Sequence, residues 1–70
     1  MEGTVKWFNN KKGYGFINGD DGVDYFVHFS FITDGSMLRE NDRVSFDSEE
    51  TERGQQAKNV TKLASGEPSE

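Results

Sequence analysis

Three lysines and eight aromatic rings crowd into the first 31 residues of this 70-residue chain. Lys6-Trp7-Phe8, Lys11-Lys12, Tyr14, Phe16, Tyr25-Phe26, His28-Phe29 and Phe31 interleave ammonium groups with π faces. Rings stack on unpaired nucleobases and ammonium groups meet phosphates, so the mixture suits a single-stranded nucleic acid. A small core does not need eight aromatics in 25 residues. Some of them are expected at the surface, where exposed apolar groups signal contact with a partner.

Other chemistries have parts here but not the arrangement they need. Asp24, His28 and Ser30 make a hydrolase parts list, with no oriented nucleophile turn to go with it. Gly13 and Gly15 fit neither the P-loop nor the dinucleotide spacing. They are read instead as points of close backbone approach on a coiled strand. Asp20-Asp21-Gly22-Val23-Asp24 lacks the glycine spacing and closing glutamate of a calcium loop and is read as a solvated hairpin turn. With no cysteine and one histidine, no thiolate or histidine-rich metal site is expected, and no cofactor.

The net charge of −5 argues against a polyanionic partner until its distribution is considered. Residues 1–18 carry three lysines against one glutamate. Residues 19–52 carry ten acids against two arginines, and residues 53–70 are nearly balanced. A local positive end attracts anions even on an acidic protein. The hydrophobic share of 31% and the short length allow one small domain and argue against an enclosed enzyme cleft. No apolar run approaches the ~18 residues of a membrane span, and no signal peptide is visible. A cytoplasmic monomer is expected.

The elements that must hold the rings read as strands. Thr4–Asn9, Tyr14–Ile17, Val23–Phe29, Arg43–Glu49 and Ala57–Leu63 carry β-branched or aromatic residues without helical period. Ser30–Ile32 has room for one short turn, and Glu50–Gly54 reads as an acidic loop. Side chains alternate along a strand, so Ile17, Tyr25 and Val27 point inward. Tyr14, Phe16, Phe26 and His28 then share the outer face. Of the adjacent pair Trp7 and Phe8, one ring faces in, and Trp7 is taken as the outward one. Closing five short strands into a barrel removes exposed edges.

Several runs resemble the bacterial-type cold-shock proteins. They are Gly3-Thr4-Val5-Lys6-Trp7-Phe8-Asn9, Lys12-Gly13-Tyr14-Gly15-Phe16-Ile17 and Phe26-Val27-His28-Phe29-Ser30. Val44-Ser45-Phe46 and Ala57-Lys58-Asn59-Val60 extend the match to residues 2–63. The resemblance implies an all-β, five-stranded antiparallel OB-fold barrel over residues 1–64, followed by a polar tail over 65–70. It implies binding of single-stranded RNA and DNA without catalysis, and a role as an RNA chaperone or a transcription or translation regulator in cold adaptation. The implied contact residues are Lys6, Trp7, Phe8, Lys12, Tyr14, Phe16, Phe26, His28, Phe29, Arg53 and Gln56. The chain departs from the family at three places. The loop Thr33-Asp34-Gly35-Ser36-Met37-Leu38 is about two residues short and lacks the usual aromatic. Phe31 stands where a small residue is common and is a candidate replacement ring. Gln55 stands where proline is frequent. The rival class is a small barrel that docks a peptide on its aromatic face.

Overall fold

The computed structural model describes residues 1–33, 35 and 37–64. Asp34, Ser36 and the tail 65–70 lie outside the described residues. Five strands, β1 (Glu2–Asn9), β2 (Tyr14–Gly19), β3 (Asp24–His28), β4 (Arg43–Thr51) and β5 (Gly54–Ala64), form one closed barrel in the order β1-β2-β3-β5-β4. A single 3₁₀ turn, Phe29–Phe31, follows β3.

The barrel is not wholly antiparallel. β3 and β5 run parallel, with Phe26 beside Gln56 and a second parallel bridge from Ile32 to Val60. The other four pairings are antiparallel. The reason is parity, because a closed ring of five strands cannot alternate direction all the way round. The seam falls where the chain leaves β3 for the 3₁₀ turn.

The second difference is at the acidic hairpin. Only Glu52 and Arg53 separate β4 from β5, whose ladder runs out to Thr51 opposite Gly54. The expected acidic loop is therefore mostly strand. Asp47 accepts from Asn59 (2.9 Å), Glu49 pairs with Lys58 (2.6 Å) and Glu50 accepts from Gln55 (3.3 Å). Cross-strand partners thus offset the repulsion that the acid run suggests on its own.

Val5, Ile17, Tyr25, Val27, Leu38, Val44, Phe46, Ala57 and Val60 fill the barrel, with Phe8 and Ile32 packed against them. The inward set expected of β2 and β3 is found: Ile17 and Val27 are fully buried, and Tyr25 is nearly so. Tyr25 stacks near Phe46 and sends its hydroxyl to Asp21 Oδ2 (2.6 Å), which satisfies the buried end of the ring.

Two turns position the outer face. The Asn9 side chain accepts from the amides of Lys11 and Lys12 (3.0 Å each), an Asx turn that ends β1. Gly13 then takes φ +79°, and its carbonyl accepts from the Phe29 amide (2.8 Å). A Cβ on Gly13 would lie 2.5 Å from the Phe29 ring, so the glycine keeps that ring in place.

Candidate nucleic-acid interface

The surface is built by one irregularity in β1. Simple alternation puts Val5, Trp7 and Asn9 on one face. The β1–β2 register shifts between Val5 and Trp7, however, leaving Lys6 as an extra residue in a bulge. Val5 stays in the core, Lys6 and Trp7 are both exposed, and Phe8 turns back against the core.

Four rings then form a closed circuit. Trp7 lies 5.7 Å from Phe16 and 5.8 Å from Tyr14, measured between centroids. Phe26 lies 5.8 Å from Phe16 and 6.0 Å from Tyr14. The β2–β3 ladder pairs Phe16 with Phe26 and Tyr14 with His28, so the imidazole continues the same face. His28 stacks on Phe29 at 4.6 Å and meets the edge of Phe31 at 6.3 Å. Phe29 is 60% exposed, the most open ring of the surface.

A cleft flanks each end of this platform. One, of about 420 Å³, is lined by Phe8, Lys11, Lys12, Phe29, Ile32 and Met37, among others. The other, of about 430 Å³, lies between Phe16 and Phe26 and the β4–β5 turn, with Asp24, Arg53, Gln55 and Gln56 on its walls. Every residue that the sequence assigned to the contact set therefore lies on or beside one continuous face. Phe8 packs against the core and reaches that face only as part of the first cleft's wall.

The profile of the "Cold-shock" DNA-binding domain family matches residues 1–63. The chain belongs to the cold-shock domain family. It is 63% identical to cold shock protein 1 of Lactiplantibacillus plantarum over 60 residues, covering 83% of this chain and 91% of that one. It is 57% identical over 65 residues to the major cold shock protein of Streptococcus pyogenes serotype M18, covering 90% and 97%. Among solved structures it is similar to drosophila Unr CSD456, with TM-score 0.72 and 28% identity. That match covers 89% of this chain and 26% of that one.

The electrostatics of this cold-shock domain differ from a simple lysine count. Lys6 is held by Asp24 (2.9 Å), which also accepts from Asn18 (3.1 Å). Those two bonds hold the Asp24 carboxyl below the usual carboxylate range, with the bond from Lys6 the larger cause. Lys11 and Lys12 are exposed and have no acidic partner among the described residues. On the acidic side, Arg43 grips Asp20 through both nitrogens (3.0 Å each) and lowers the Asp20 pKa by that bond. The Asp20–Asp24 turn spends its carboxylates on Arg43, Tyr25 and Lys6.

Asp24, Gln55 and Met37 are among the cleft residues absent from the sequence-based contact set. Asp24 was legible, because period two places it with Phe26 and His28. Gln55 reaches the second cleft only because the β4–β5 hairpin folds over β3, and no local pattern signals that. Met37 lines the first cleft from the segment between the 3₁₀ turn and β4; it is 65% exposed.

Proposed function

We propose that this cold-shock domain binds single-stranded RNA and DNA with low sequence specificity by stacking bases on its aromatic face. The observation that carries this reading is the closed circuit of Trp7, Tyr14, Phe16 and Phe26. Rings left half-exposed at such spacing on a barrel offer flat apolar area that only planar partners match. Each stacked base is worth ~1–3 kcal/mol. Three or four stacks reach the ~8 kcal/mol of a micromolar complex.

His28, Phe29 and Phe31 extend the platform, and Phe31 stands in for the ring that the shortened loop lacks. Lys12, with Lys11 beside it, and Arg53 hold phosphates at the two ends. Lys6 does so after exchanging Asp24 for the ligand. Gln56, beside Phe26, contacts a base edge. Binding depends on mass action alone and opens RNA hairpins by trapping the single strand, without catalysis. The domain acts as a monomer in the cytoplasm, as an RNA chaperone of cold adaptation.

Titration with a short oligothymidine, followed by the fluorescence of Trp7, tests the reading. Quenching at micromolar concentration, with no response to duplex, is the expected result. No binding of oligothymidine or oligouridine by fluorescence or gel shift would overturn it in favour of a peptide-docking barrel.

A further inference from the structure

His28 sits at the junction of the two ring clusters, and its hydrogen bonds fix more than its orientation. The backbone amide of Ser30 donates to His28 Nδ1 (3.3 Å). An amide N–H can only donate, so Nδ1 is the unprotonated nitrogen of the neutral ring. The Ser30 hydroxyl lies 2.9 Å from the same atom and therefore also donates to it. In the neutral imidazole the proton must then reside on Nε2. That nitrogen has no hydrogen-bond partner among the described residues. The ring also lies tilted by 39° against Phe29 and near-perpendicular to Phe31, and a flip that exchanged its nitrogens would break both bonds from Ser30.

We propose that Ser30 locks His28 as an obligate hydrogen-bond donor, so that the base lying at the Nε2 edge of the ring, beside any base stacked on its face, must present an acceptor such as a ring carbonyl. This rests on the single-strand reading above and deepens it. The ring faces of the platform are indifferent to base identity, because every base has a π face. A donor of fixed position is not, since a base that leaves it unpaired forfeits a hydrogen bond. His28 is thus a point of selectivity on an otherwise tolerant surface, and Ser30 is its positioning residue.

Two measurements test this. The first is the ¹⁵N spectrum of His28 in the free protein in mildly alkaline buffer. Protonated Nε2 and bare Nδ1 are expected, and the opposite tautomer would overturn the proposal. The second places difluorotoluene, a thymine-shaped ring without hydrogen-bonding carbonyls, at each position of an oligothymidine in turn. At one position the substitution should weaken wild-type binding about fivefold, the scale of one net hydrogen bond. In His28→Phe, which keeps a stacking ring but has no donor, the same substitution should cost nothing at that position. Equal losses in both proteins at every position would overturn the donor role. Failure of the parent oligothymidine to bind wild type would overturn the functional reading itself, and the proposal with it, and is recognisable because no cycle can then be measured.

Discussion

Trp7 stands directly opposite Phe16 in the β1–β2 ladder, with ring centroids 5.7 Å apart. The pair exists because Lys6 occupies a bulge, and without that extra residue Trp7 would share the inward face of Val5. Phe16 is also in contact with Phe26, so it joins β1's ring to β3's. Phe16→Ala should therefore weaken oligothymidine binding by ~1–3 kcal/mol. The melting temperature should change little, since Phe16 is not part of the core. Unchanged affinity in a folded variant would show that the ring circuit does not carry binding.

Binding should weaken with salt but persist. Lys11, Lys12 and Arg53 are the exposed cations at the ends of the platform. At ~0.7 per phosphate contact on single strands, the log–log slope should be about −2. Lys12→Gln should make the slope shallower by about 0.7 across sequences alike. A slope near zero in wild type would remove phosphate contacts from the account.

Gly15 tests the fit between β1 and β2. A Cβ there would collide with the Trp7 carbonyl oxygen and come within 2.7 Å of the Phe8 Cα. Both obstacles are backbone, so neither can swing aside. Gly15→Ala should destabilise by ~1–3 kcal/mol or more, read from urea unfolding. It should also lower affinity in whatever fraction stays folded, because it pushes Trp7 off the platform.

Acid should loosen the β2–β3 turn. The Arg43 bond holds the Asp20 carboxyl below its model-peptide value of 3.8. A carboxylate with a depressed folded pKa contributes stability above its unfolded pKa and loses it as pH falls through the folded one. Thermal midpoints should thus fall between about pH 5 and pH 2. Asp20→Asn should flatten part of that decline. An identical acid limb in the variant would show that the Asp20–Arg43 pair contributes no pH-dependent stability.

The composition and alternation of the chain were enough to specify five strands, the inward set Ile17, Tyr25 and Val27, and an outer row of Tyr14, Phe16, Phe26 and His28. These follow from period two, which is a local property of the backbone. The hairpin turn at Asp20–Asp24 was legible for the same local reason, the preferences of Asp and Gly. Three things were decided only by the closed barrel. Trp7 was taken as the outward ring, but the bulge at Lys6 that lets it face out while Val5 stays in the core is seen only where β1 meets β2. The parallel β3–β5 seam follows from closing an odd number of strands, which no single segment encodes. The second cleft joins Phe16, Phe26, Arg53 and Gln55 because the β4–β5 hairpin comes to rest beside β3. Rings of β2 and β3 meet residues 27 to 39 positions further along the chain there through tertiary packing alone.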